Sequence, residues 1–175
     1  MAEVNTTLQL VADFVNTLDL EHGEDVLADA SGLARWLRTR GLWDGRPSGA
    51  DLASARAVRE ALRDLMGINN GCPADSEAAA ATLDEASSRT GVGVHFGAGA
   101  LQLTSPSGGI GAVIAAAGQA MMDGSWQRLK ACRADSCRWA FVDSSRNHSR
   151  QWCSMQVCGN REKARAYRRR RNDGA

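Results

Sequence analysis

Residues 153–171 read CSMQVCGNREKARAYRRRR. Two cysteines in C-x4-C spacing run straight into a helix-like segment that ends in four consecutive arginines. The 175-residue chain as a whole carries a formal charge of only +1. That near-neutrality hides a division. Residues 1–127 hold 8 Lys+Arg against 16 Asp+Glu, whereas residues 128–175 hold 13 against 4. An acidic body with a basic tail points to a polyanionic partner. A single charge run is more often a solvated helix face. Here, however, the split coincides with the cysteines: Cys132, Cys137, Cys153 and Cys158 all lie in the basic part, and only Cys72 lies elsewhere.

The four clustered cysteines form two C-x4-C pairs separated by fifteen residues. Two close thiolate pairs suit a tetrahedral zinc ion with Zn–S bonds of about 2.3 Å. The x4 gap is wider than the commonest x2, and free thiols or a redox pair are the rival reading. A disulfide framework does not suit a chain read as cytosolic. Between the pairs, residues 138–143 and 149–153 are predicted to form a hairpin around a turn at 144–148. Residues five apart on a straight helix point roughly 140° apart, so a break is expected between Cys153 and Cys158. Gly159 would supply the turn and Asn160 the cap, with the helix starting near Arg161. Few large apolar residues follow position 128, so the module needs help to fold. Thiolate-bound zinc supplies about 10–16 kcal/mol in small modules.

The N-terminal part reads as helical. Leu8, Val11, Phe14, Val15 and Leu18 recur at helical steps. A second helix is expected after Ser31 as cap, with Leu33, Trp36 and Leu37 inward and Gly41 at its end. A third spans about Asp51–Met66, stopped by Gly67, and a fourth lies within 73–89. Alternation then marks two short strands at 92–96 and 100–104, followed by an apolar helix at 110–122 packing across them. The fold class is therefore α+β, in two parts. Residues 1–125 form a helical domain with a hairpin, and residues 126–175 form a treble-clef-like zinc module ending in a basic helix.

The run CRWAFVDSSRNHSRQWCSMQVCGNREKARAYRRR closely resembles the CGNR zinc finger, whose tetrad is Cys158-Gly159-Asn160-Arg161 here. The resemblance covers about 126–171 through its F-x-D, SRN, WCSM, CGNR and K-A-R-x-Y-R elements. More faintly, LVADFVNTLD (10–19), WLRTRGLW (36–43) and the hairpin look like the ABATE domain, which precedes this finger in its family. The resemblance implies a stress-associated transcription regulator.

Function follows as an expectation: a DNA-binding transcription regulator holding structural Zn2+ through Cys132, Cys137, Cys153 and Cys158. Its cations facing duplex DNA would be Arg138, Arg146, Arg150, Arg161, Lys163, Arg165 and Arg168–Arg171 (Arg168, Arg169, Arg170, Arg171). Arginine suits the task because its planar fork matches phosphate oxygens and the guanine edge. Arg161 is read equally as a brace near the zinc loop. Ala164 and Tyr167 are expected to face inward, and Asp143 to brace the turn with Arg146 as partner. RNA is a competing partner, and so is a protein partner, including the chain's own acidic body. Asp13, Asn16, Thr17 and Trp36 are candidates for a small-molecule effector pocket, against a simpler account as capping and buried hydrogen bonds. A homodimer is a further possibility. No catalytic pattern stands out, so the chain is read as not an enzyme. With no leader-like start and no membrane-length apolar run, it is read as a bacterial cytoplasmic protein near the nucleoid.

Overall fold

A computed structural model describes residues 2–97 and 99–173. Helix α1 (Ala2–Val15) buries Leu8, Val11, Phe14 and Val15 along one face. It stops before Leu18, which lies in a two-residue ladder, β1 (Leu18–Asp19) with β2 (Glu24–Asp25). Helix α2 (Ala30–Thr39) is capped by Asp29, whose carboxylate accepts from the Gly32 N–H at 2.8 Å. Ser31, the expected cap, sits inside the helix and donates to that same carboxylate. A carboxylate one residue upstream of the helix reaches its free N–H groups and competes out the hydroxyl.

Helix α3 (Gly49–Asn69) begins with a Ser48–Asp51 capping box and buries Ala55, Val58, Leu62 and Met66. It runs through Gly67, the expected stop, and the left-handed residue that ends the segment is Gly71. Helix α4 (Ser76–Thr90) starts at an Asp75 cap and ends on left-handed Gly91. Strands β3 (Gly93–Gly97) and β4 (Ala100–Thr104) pair antiparallel as expected. Helix α5 (Ile110–Met122) packs on α1 and on β4. A side chain at Gly118 would collide with the Leu103 methyl, so this glycine lets the hairpin lie close on α5.

The second part is built differently from the expectation. Strand β6 (Ala140–Val142) pairs with β5 (Leu129–Ala131), not with residues 149–153. Leu129 and Ala131 are fully buried, so β5 is a core strand that claims β6 as its partner. The 149–153 segment is instead gathered by side chains. Lys130 Nζ donates to Asp143 Oδ2 at 2.8 Å and to the carbonyls of His148 and Arg150. Asp143, fully buried, also accepts from the N–H groups of Ser145 and Arg150. Its partner is thus Lys130, not Arg146. Burial pushes its carboxyl up, yet Lys130 and these donors outweigh that and hold it well below the usual range.

The apolar core runs unbroken past residue 125. Leu8, Phe14, Leu62, Met66 and Val113 share one cluster with Trp126, Leu129, Ala131 and Ala140. Polar groups bolt the same seam. The Asn16 amide exchanges two hydrogen bonds with the backbone of Ala140, at 2.9 and 2.7 Å. Asn70 donates to the carbonyls of Ala131 and Gln151, and Asn69 to those of Trp126 and Leu129. Fully buried Arg63 donates to the carbonyls of Val15, Leu18 and Arg138.

Asn70 offers the cleanest check of this seam. Replacing it with Ala removes the side-chain donor from the buried Ala131 carbonyl, while the Gln151 carbonyl keeps the Arg133 N–H; one such loss costs about 1–3 kcal/mol. Urea unfolding of the metal-loaded chain should show a lower midpoint of that size; an unchanged midpoint would mean the seam bears no load.

Candidate metal centre

Cys132 directly follows β5, and its N–H donates to the Trp139 carbonyl at 2.9 Å. A tight turn, closed by Cys137 N–H to Ala134 O at 2.8 Å, brings Cys137 back beside it. Arg138 leaves the turn with φ +48, a left-handed geometry that redirects the chain into β6. The first pair therefore sits at the closed end of the β5–β6 hairpin.

The break expected between Cys153 and Cys158 is present, but at Ser154 rather than at Gly159 and Asn160. Residues Met155–Gly159 form one π-helical turn that flows directly into α6 (Asn160–Asp173). Ser154 is the cap, accepting from the Val157 N–H, and Cys153 stands one residue outside the helix. Only Cys158 is helical, so the angular conflict disappears. Asn160 has ordinary helical angles. Gly159 does not have a positive φ. Its lack of a side chain serves packing, since a Cβ there would strike Met155 Sδ and Trp152 Cδ1 at 2.5 and 3.0 Å.

The four sulfurs converge to within 4.8 Å of one another. Cys137 and Cys153 are 3.6 Å apart, and Cys153 and Cys158 3.7 Å. Four ligands at Zn–S bonds of 2.3 Å in a tetrahedron stand about 3.8 Å apart, so the donor set fits such an ion. Contacts with the Cys137 and Cys153 sulfurs, and then the backbone N–H groups of Cys153 and Ala134, hold the Cys132 thiol well below its ordinary value. Without a cation the sulfurs oppose one another. Contact with Cys132 pushes the Cys137 thiol up to about 12 and raises Cys153 as well. His148 lies outside the cluster, exposed at the turn.

The match to known families follows this geometry. Residues 128–171 match the CGNR zinc finger, and residues 8–123 match the ABATE domain, described as "Putative stress-induced transcription regulator". The chain belongs to the ABATE family. No curated protein matches it. In this ABATE protein the two matched segments follow the order expected from the sequence.

The predicted cations fall into two groups. Three are engaged with residues outside α6. Arg138 Nη2 lies 2.7 Å from Asp64 Oδ1. Arg150 donates to the carbonyls of Trp152 and Cys153 and lies over the Phe141 ring. Arg161 grips Glu21 with both nitrogens, at 2.7 and 3.0 Å, and reaches Cys158 Sγ at 3.4 Å. Its role as a brace is the one the contacts display. The others, Arg146, Lys163, Arg165 and Arg168–Arg171, are exposed, with Arg165 paired to Glu162 on its own helix. Ala164 and Tyr167 are exposed too, contrary to expectation, because α6 packs chiefly on the turn at its own root.

Asp13, Asn16, Thr17 and Trp36 all line one cleft, together with Trp139 and Phe141. Asn16 is spent on Ala140, and Thr17 is buried and donates to the Phe14 carbonyl. Asp13 meets Gln9 and Arg40, and Trp36 stacks edge-on with Phe14. Glu21, Lys130, Asn69 and Asn70 were not legible as functional. Their partners lie far away in sequence, and the Asn69-Asn70-Gly71 run carries only a turn signal.

Cobalt(II) titration of metal-stripped protein should reach saturation at one ion per chain with a thiolate-to-metal charge-transfer band. Cys72→Ser should leave it unchanged, and Cys137→Ser should weaken the affinity markedly; an equal effect of both would remove Cys137 from the centre.

Proposed function

We propose that this protein is a DNA-binding transcription regulator in which zinc, held by Cys132, Cys137, Cys153 and Cys158, fixes the root of α6 against the hairpin. The observation that carries this reading is the state of α6 itself. It is a fourteen-residue helix on which every basic side chain past Arg161 is exposed. Such a helix spans about 21 Å, which suits the major groove as other zinc-stabilised helices do. Four thiolates and one divalent ion together contribute −2, so the second part stays strongly basic. A four-sulfur shell is coordinatively closed and offers no place for a catalytic water, which supports a binding role over an enzymatic one. In this reading the helical body is the regulatory part.

Exposed Met155, Val157 and Tyr167 around the helix favour a second reading, in which α6 docks on a protein. Salt dependence separates the two. If six phosphates are neutralised, affinity for random duplex should drop about a thousandfold between 50 and 200 mM salt. Changing Arg168, Arg169 and Arg171 to Ala should reduce the log–log slope by about one for each phosphate no longer touched. Arg161→Lys should leave that slope intact. Mobility shifts with duplex DNA and structured RNA would read this out, and a flat salt response would sink the nucleic-acid reading.

A further inference from the structure

The cleft that gathers the candidate pocket residues measures about 910 Å3. Small-molecule sites run from about 300 to 1,000 Å3 and concentrate at seams between structural units. One wall comes from α1, α2 and the residue that follows α2, which bring Asp13, Arg35, Trp36 and Arg40. The other comes from β6 and the residue before it, which bring Phe141 and Trp139. The Asn16–Ala140 pair ties the walls together inside the cleft, so the space is preformed.

Charge and shape select the occupant. Two guanidinium groups face one carboxylate, in a part of the chain where acids outnumber bases two to one. That carboxylate is already engaged: Asp13 accepts from Gln9 at 2.8 Å and from Arg40 at 3.4 Å. Arg40 is pre-oriented by stacking 4.2 Å over the Trp36 ring. Arg35 is exposed, has the Asp29 carboxylate as a charged neighbour, and keeps its N–H donors free of hydrogen bonds among the described residues. The remaining donor capacity is cationic, and the opposite wall is aromatic. A guanidinium presents paired N–H groups that match a carboxylate, and flat rings favour a flat body.

We propose that this cleft binds a planar aromatic carboxylate, with its carboxylate on Arg35 and Arg40 and its ring against Trp139 and Phe141. Such a ligand touches both walls, so its occupancy strengthens the tie between the helical body and the zinc hairpin. The proposal concerns regulation and stands whether or not α6 binds DNA.

The test uses the full metal-loaded chain and three probes: 2-naphthoate, neutral 2-naphthamide, and inorganic phosphate, followed by calorimetry. Naphthoate should bind saturably, with the amide and phosphate at least tenfold weaker, since each lacks one of the two features recognised. Arg35→Gln combined with Arg40→Gln should weaken naphthoate about tenfold or more, the loss expected for charge-assisted hydrogen bonds, and leave the amide unchanged. Arg35 is exposed on α2 and Arg40 is exposed just past its end, and circular dichroism would confirm the fold. Asp13→Asn, which removes the opposing charge, should tighten naphthoate. Absence of saturable naphthoate binding at millimolar concentration, equal binding of the amide, or indifference to the double substitution would each overturn the assignment.

Discussion

Four sulfur atoms within 4.8 Å of one another are a stable arrangement only around a cation, because the thiolates repel and the thiols waste their packing. Everything in the second part of the chain is arranged to create that proximity. The β5–β6 hairpin holds Cys132 and Cys137 at its closed end, and the π turn carries Cys158 back to Cys153. A five-residue turn is costlier than an α turn, and such turns recur where function demands a local change of phase. Here the turn carries Cys158 while Cys153 stays outside it, and α6 departs directly from the turn.

A metal held there would not act alone. The module's own apolar cluster is small, comprising Phe141, Trp139, Trp152 and the cysteines themselves. The other face of its hairpin belongs to the body, where Leu129, Ala131 and Ala140 join α1 and α3 in one core. Around that core the ties are polar and specific: amides of Asn16, Asn69 and Asn70 and the buried guanidinium of Arg63, each on a backbone carbonyl. Hydrogen bonds of this kind fix register more than they add stability. The knuckle is held in one orientation relative to α1 and α3, so a change in the body can be felt at the sulfurs.

Much of this was legible in the sequence, for identifiable reasons. Helices α1 to α5 and the β3–β4 hairpin follow from periodicity, and the cysteine cluster follows from spacing, because both are local signals. The errors are of another kind. Ser31, the expected cap of α2, lost that place to Asp29, whose carboxylate reaches the Gly32 N–H. The pairing of β6 with β5 in place of 149–153 depended on Lys130, a charged residue buried inside a strand by Asp143. Its place in a core strand has no periodic signature. Ser154 rather than Asn160 caps the last helix, since a π turn leaves no mark in spacing rules. Arg161 and Glu21 meet across 140 positions, and nothing local announces the pair.

That last contact bears on how the charge division works. An acidic body beside a basic helix invites the picture of a shield, with the body covering the arginines. Among the described residues, the ion pairs that cross between the two parts are Arg138 with Asp64 and Arg161 with Glu21. Both sit at the knuckle or at the root of α6, where they act on position. Arg169, Arg170 and Arg171 remain exposed at the far end. At physiological salt, charges separated by more than about 8 Å of solvent are largely screened, so the body's excess acid does little to those outer arginines. Its carboxylates matter where they touch. Glu21 holds Arg161, which also contacts the Cys158 sulfur, so the body's acid acts on the position of the helix root rather than on the charge of the outer arginines.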